Sequence, residues 1–309
     1  MYVRVLGAAA GGGFPQWNCS CGNCRRLRQG NFQGPARSQA QLAISADPEN
    51  WFLVNASPDL RYQIESCPFL RPTPHSFRNC PIKGVVLTSA ELDASLGLLL
   101  LRESHPLVAY ATEPVRRLLT EDNAFFNVFR RVPDQLEWQT IVPGEPFQLQ
   151  LIRGAPVGIQ CSAVSSSESF PGYASTERVR SLDPAGAVIG LFLQHGSKRI
   201  AFFPGAPRVA PEWLQEFAEC EVIFFDGTFW SDDELIRIQG QGKTAREMGH
   251  SPVGGPGGTL EQFETLAGPR KIFIHVNNTN PMLDEETPEY HEICDAGWEL
   301  AFDGMEIAV

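Results

Sequence analysis

Three cysteines fall within six residues, Cys19-Ser20-Cys21-Gly22-Asn23-Cys24. Thiolates spaced this tightly can converge on one Zn²⁺ at about 2.3 Å each, leaving one tetrahedral corner for a residue from elsewhere. A closed, thiolate-rich site of this kind is structural: it pins a loop and opens no position to substrate. The segment it would pin, about 14–30, has no apolar core of its own, and Arg25 and Arg26 beside it offset thiolate charge. Three unrelated free thiols are the plain alternative. Cys67, Cys80, Cys161, Cys220 and Cys294 are scattered and read as small buried side chains.

A second set of residues follows apolar runs. Glu91 and Asp93 come after Val85–Thr88, Asp226 closes Ile223–Phe225, and His275 closes Ile272–Ile274, with Asn277 and Asn280 just beyond. His250 adds an imidazole in a glycine-rich loop. Each has an ordinary explanation taken singly. Asp93 could cap a helix, Asp226 could make an Asx turn with Gly227 and Thr228, and His250 could be solvated. His75, His105 and His195 read as surface residues. Taken together, carboxylates and imidazoles after separate buried strands describe a metal or acid–base site with O and N donors. The Gly11-Gly12-Gly13 run allows backbone to approach a ligand, so Gly12, Gly13, Asn277 and Asn280 are candidate ligand-binding groups.

The elements that must position these groups alternate in type. Strands are predicted over 3–6, 84–88, 107–111, 199–203, 221–225 and 271–275, and a hairpin over 41–45 and 51–54. Helices are predicted from Asp59 to Cys67 and over 92–103, 115–119, 211–217 and 260–266, and the polar stretch 162–181 reads as a flexible loop over a site. Hairpins among alternating strands and helices suit two mixed sheets sandwiched between helices, in one domain spanning 1–309.

Composition narrows the partners. The chain has 309 residues, 43% hydrophobic and 20% charged, with net charge −11. That length buries about three quarters of its unfolded surface without disulfides. An acidic chain without Lys/Arg blocks is a poor ligand for nucleic acid. The apolar run 96–101 is far too short to cross a bilayer, and the start, Met1-Tyr-Val-Arg-Val-Leu6, is unlike a signal peptide. A cytoplasmic protein with reduced or metal-bound cysteines is expected, with no membrane partner and with room for a homodimer.

Six stretches, in order, resemble the pyrroloquinoline quinone (PQQ) biosynthesis protein B family: VRVLGAAAGGGFPQWNCSCGNCRR, NASPDLR, VVLTSAELDASLGLLLLRE, DGTFWSDDEL, MGHSPVGGPGG and HVNNTNPML. The resemblance implies a metallo-β-lactamase-like αββα sandwich, a structural zinc on Cys19, Cys21 and Cys24, and a fourth ligand near Asn278. Hydrolytic members of that superfamily carry His-x-His-x-Asp-His where this chain has Ser89-Ala90-Glu91-Leu92-Asp93-Ala94. The family itself usually shows Asp at the position of Ser89 and His at that of Ala94. A bridging Asp is replaced by Pro204-Gly205-Ala206. Alanine cannot coordinate a metal, so two-zinc hydrolysis is rejected. The resemblance implies instead an iron-dependent hydroxylase of a tyrosine-containing, peptide-derived quinone precursor. Glu91, Asp93 and His275 would be its Fe²⁺ ligands, with Asp226 and His250 as acid–base groups. The alternative is a non-catalytic carrier of PQQ or its precursor.

Overall fold

The computed structural model describes residues 1–73 and 79–309; His75 lies outside the described residues. In chain order the strands are β1 (Tyr2–Gly7), β2 (Gln41–Ser45), β3 (Trp51–Val54), β4 (Ile82–Val86), β5 (Leu107–Thr112), β6 (Leu136–Ile141), β7 (Pro146–Gln150), β8 (Pro156–Ser167), β9 (Val188–His195), β10 (Lys198–Phe203), β11 (Val222–Asp226), β12 (Arg270–Ile274), β13 (Trp298–Leu300) and β14 (Glu306–Ala308). The helices are α1 (Gly22–Arg28), α2 (Leu60–Ser66), α3 (Leu92–Ser95), α4 (Glu113–Thr120), α5 (Thr176–Arg180), α6 (Pro211–Ala218), α7 (Glu234–Gln239), α8 (Thr259–Gln262) and α9 (Pro288–Asp295). The chain forms two compact units. One comprises Met1–Leu6, Gln41–Lys198 and Gly304–Val309; the other comprises Gly7–Ala40 and Arg199–Asp303.

The first unit holds a sheet in the order β14-β1-β2-β3-β4-β5-β6. It is mixed: β2 and β3 form the predicted antiparallel hairpin, while β3, β4, β5 and β6 run parallel. The hairpin closes because Asp47 Oδ1 accepts the Glu49 and Asn50 amides, an Asx turn. Leu53, Val85, Leu87 and Ala111 from this sheet pack with Leu60, Leu98, Val115 and Leu118 in a contiguous core. Strands β7, β8 and β9 form an antiparallel set in the same unit.

Two predicted elements differ from expectation here. The helix expected over 92–103 is α-helical only to Ser95 and continues as a 3₁₀ segment to Leu101. The cause is Gly97, whose amide bonds Ala56 O and which touches backbone so closely that an added Cβ would lie 2.0 Å from Ser57 O. The stretch read as a flexible loop is largely structured. Strand β8 carries it to Ser167 on a buried alternation of Ile159, Cys161 and Ala163, small residues whose periodicity is easily missed. Beyond it, Phe170 packs on the core, Tyr173 donates to Ala90 O, and Arg178 pairs with Glu121 and Asp122.

The second unit holds β10, β11, β12 and β13, all parallel. Strand β11 is apolar from Val222 to Phe225 and β12 from Ile272 to Ile274, the continuous runs that a sheet buried on both faces requires. Phe203, Phe217, Phe225, Phe263, Phe273 and Trp298 make a chain of ring contacts, with centroids 4.0–6.2 Å apart, that fixes this sheet against α6. Among the described residues no helix is long and apolar enough to cross a membrane.

Candidate metal and acid–base centres

The cysteine loop is closed by its own backbone. Cys21 N–H donates to Cys19 Sγ at 3.4 Å, and Cys24 N–H to Cys21 Sγ at 3.5 Å, which starts α1. Arg28 donates to the carbonyls of Gln16 and Cys19, and Asn23 Nδ2 ties α1 to Asn278 O and Asn280 O. The three sulfurs lie within 4.8 Å of one another. Burial pushes the Cys19 thiol up, but hydrogen bonds from the Cys21 amide, its neighbouring thiols and Asn278 outweigh it and hold that thiol low. Burial drives Cys24 up to about 11, reinforced by the neighbouring sulfurs. Three thiols held this close together suit a cation, whose charge would favour all of them as thiolates.

The Asn278 side chain stands where a fourth corner would be. Its terminal amide nitrogen stands 3.1, 3.6 and 3.4 Å from the sulfurs of Cys19, Cys21 and Cys24. Tetrahedral bonds of about 2.1–2.3 Å put neighbouring ligand atoms roughly 3.5–3.8 Å apart. Rotation of the amide brings Oδ1, an oxygen donor, to the same point. The residues therefore fit a closed four-ligand zinc site.

The second centre forms where two adjacent parallel strands end. In the β11–β12 register Asp226 faces Ile274, so Asp226 and His275 emerge side by side. The glycine-rich loop returns His250 onto them. Asp226 is wholly buried, and its ordinary reading holds too: Oδ1 accepts the Thr228 amide at 3.0 Å, the Asx turn, and the Thr228 hydroxyl at 2.6 Å. Oδ2 accepts the amides of Ala206 and Ser251 at 3.2 and 3.3 Å, and meets His250 Nδ1 at 2.9 Å. The position where hydrolases keep a bridging carboxylate thus provides a backbone N–H in support of Asp226.

Five donors saturate the roughly four lone-pair sites of a carboxylate, which identifies Asp226 as an orienting group. Proton counting then assigns the rings. The Thr228 hydroxyl has one hydrogen, and Asp226 Oδ1 is its nearest acceptor; its lone pairs face His275 Nδ1 at 2.9 Å and His250 Nδ1 at 3.1 Å. With that hydrogen directed to an oxygen, Asp226 Oδ1 or the His275 carbonyl at 2.8 Å, the arrangement favours Nδ1–H on both rings and leaves Nε2 as the nitrogen for a ligand or a proton. The rings stack with centroids 5.3 Å apart and planes at 21°. A histidine whose second nitrogen donates to a carboxylate or hydroxyl is preset as a metal ligand or general base.

Other candidates have different surroundings. Glu91 and Asp93 belong to the first unit. Glu91 is exposed at the N-cap of α3, and Asp93 sits half-buried in its first turn, so Asp93 is not the cap. The chemistry-bearing groups that gather with His275 in its own unit are Asp226 and His250. The ligand-binding reading of the four backbone and amide groups meets prior engagements. Gly12 N–H donates to Gln39, Gly13 N–H to Ala10, Asn277 Nδ2 to Thr279, and buried Asn280 bridges Gly227 O and Met282 N. His105 is half-buried with Nε2 on Ile82 O, and burial lowers its pKa, so it is not a surface residue; His195 Nδ1 lies on Gly158 O. Asn278 stands where the resemblance implied a fourth zinc ligand; Thr228 was not among the site residues predicted, although it stands in a quoted motif beside Asp226.

A family model described as "Beta-lactamase superfamily domain" matches residues 50–276. "Coenzyme PQQ synthesis protein B" of Gluconacetobacter diazotrophicus is 43% identical, covering 98% of each chain, and that of Nitrosococcus oceani is 41% identical, covering 99% of each. The crystal structure of Zn²⁺-bound PqqB from Methylobacterium extorquens matches all of both chains at 34% identity, with TM-score 0.90. A diphosphatase of the PhnP family, at 18% identity and TM-score 0.67, shares the fold. The fold is thus that of the metallo-β-lactamases, two mixed sheets flanked by helices. With full-length identity near 40%, the chain belongs to the coenzyme PQQ synthesis protein B family of the β-lactamase superfamily.

Proposed function

We propose that this chain serves PQQ biosynthesis by metal-assisted hydroxylation of a tyrosine-containing, peptide-derived precursor. The observation that supports this reading best is the shared orientation of His250 and His275, both Nδ1 atoms held by the Asp226–Thr228 pair. An imidazole nitrogen suits a first-row divalent ion such as Fe²⁺, which His275 would hold through Nε2, leaving Nε2 of His250 for proton transfer. Bound there, iron would activate O₂, one oxygen atom going to the ring and the other to water with two electrons from an external reductant. His250 takes the phenolic proton of the substrate at Nε2, and buried Asp226 stabilises the imidazolium that results. His275 orients the ring from the adjacent strand end. Zinc belongs in the second role, on Cys19, Cys21, Cys24 and Asn278, where it holds the 275–280 loop and takes no part in the chemistry. The M. extorquens PqqB structure is zinc-bound, which supports zinc as a metal for this chain; the thiol set supports its place.

A carrier of PQQ or its precursor is the second reading. It is favoured by Ala94, buried at the position where hydrolases place a histidine ligand. One experiment divides the two. Protein stripped of weakly held metal is titrated anaerobically with Fe²⁺ and then given O₂, ascorbate as the two-electron reductant and a Glu-Tyr peptide. Peptide-dependent O₂ uptake, abolished in His250→Ala, supports hydroxylation. Tight PQQ binding with no uptake would remove it in favour of carriage.

A further inference from the structure

The loops that carry the site meet at one carboxyl group that the mechanism does not use. Glu234, in the first turn of α7, is 5% exposed. Glutamate is almost never buried without a cationic partner, yet the hydrogen-bond donors here are neutral. Trp230 N–H donates to Oε2 at 2.6 Å and the Thr279 hydroxyl to Oε1 at 2.5 Å. Burial accordingly pushes Glu234 up to about 7. The carboxyl holds two loops at once, through the Trp230 amide and the Thr279 hydroxyl.

What it holds is a closed circuit. Thr279 Oγ1 accepts the Asn277 side-chain amide at 2.6 Å, and Asn277 N–H donates to Thr228 O at 3.0 Å. The path Trp230–Glu234–Thr279–Asn277–Thr228 begins and ends in the 226–230 loop and passes through the loop bearing His275. The His250 loop joins the same hub: Val253 N–H donates to Phe229 O and Gly254 N–H to Trp230 O, both at 2.9 Å. Gly254 lies flat on the Trp230 ring, where an added Cβ would come within 2.8 Å. His275 itself has φ +60°, a left-handed conformation that a side chain adopts only when its surroundings insist.

We propose that Glu234 is a positioning residue: bridging the Trp230 amide and the Thr279 hydroxyl, it sets the 275–280 loop against the 226–230 loop and so keeps His250 and His275 in their Nδ1–H form. The inference rests on the reading of this pair as the reactive one. Three variants test it on the zinc-loaded full chain: Glu234→Gln, Thr279→Val and Thr279→Ser. Side-chain ¹H–¹⁵N correlation spectra report the tautomer of each ring. Glu234→Gln and Thr279→Val should mix the tautomers of both histidines while zinc content stays unchanged, and Thr279→Ser, which keeps the hydroxyl, should match the wild type. In the O₂-uptake assay kcat should fall about 10–100-fold in the first two, with KM little changed. Wild-type histidine signals in folded Glu234→Gln and Thr279→Val would overturn the proposal, as would loss of zinc. If Glu234→Gln does not fold, Thr279→Val decides alone. Absence of turnover in the wild type would defeat the hydroxylase reading, while the spectra still decide the role of Glu234.

Discussion

His250 donates its Nδ1–H to Asp226 Oδ2 across 2.9 Å, and the accepting carboxylate is wholly buried, held also by the amides of Ala206, Thr228 and Ser251. A carboxylate whose oxygens are fixed by backbone amides fixes in turn the ring it touches. In Asp226→Asn an NH₂ group must face one or more of these N–H donors. The expected loss is about 1–3 kcal/mol of stability, measured by denaturant unfolding. His250 then loses its Nδ1–H acceptor, and O₂ uptake should drop by about 10² or more. Full activity in this variant would show that the pair is only structural.

The sulfur cluster makes a separate prediction. Asn278 reaches the three sulfurs of Cys19, Cys21 and Cys24 at 3.1–3.6 Å, so Asn278→Ala should weaken zinc at least about tenfold in competition with a chromophoric chelator. Asn278→Asp, which keeps an oxygen and adds charge, should bind no less tightly. Cys24→Ser should lose the ion. Unchanged zinc affinity in Asn278→Ala would place the fourth ligand elsewhere.

The cysteine spacing and the strand-ending Asp226 and His275 were legible because each is a local pattern: thiols in one turn, and polar residues after an apolar run. Their convergence was legible only through resemblance, since the register that sets Asp226 opposite Ile274 pairs segments more than forty residues apart. The engagement of Asn280 and Gly12 was not legible at all. An amide that bonds Gly227 O and one that meets a ligand have the same sequence signature. Thr228 escaped for a similar reason: a threonine after Asp-Gly reads as turn chemistry, and its second use, against two imidazoles, exists only once three loops have met. The two compact units were hidden by interleaving, because each is assembled from separated stretches of chain.

Asp303 predicts a pH dependence. Burial raises its carboxyl from 3.8 to about 6, against the opposing pull of the Ser38 hydrogen bonds and Arg37. A carboxyl raised on folding binds its proton more tightly in the folded state. Its penalty is absent below the unfolded value, grows as pH rises, and levels off above about 6. About two units correspond to roughly 3 kcal/mol. Asp303→Asn, which keeps an acceptor for the Ser38 amide, cannot ionise. Its stability relative to the wild type should therefore climb between pH 4 and pH 6 and stay flat beyond, as read from unfolding curves across that range. A constant difference would mean that Arg37 compensates the charge fully.

His275 offers a test of stored backbone strain. Its φ of +60° costs an ordinary residue about 1 kcal/mol, and glycine almost nothing. Replacement by either Ala or Gly removes the ring and with it the Nδ1 contact to Thr228 and the stack on His250. The two variants then differ only in how well they tolerate the left-handed backbone. His275→Gly should be more stable than His275→Ala by about 1 kcal/mol, the reverse of the usual order, in which glycine loses to alanine through its larger unfolded-state entropy. Both should lack O₂ uptake. If alanine proves the more stable, the loop relaxes out of its left-handed turn once the ring is gone, and it is the ring's hold on Thr228 that keeps the backbone there.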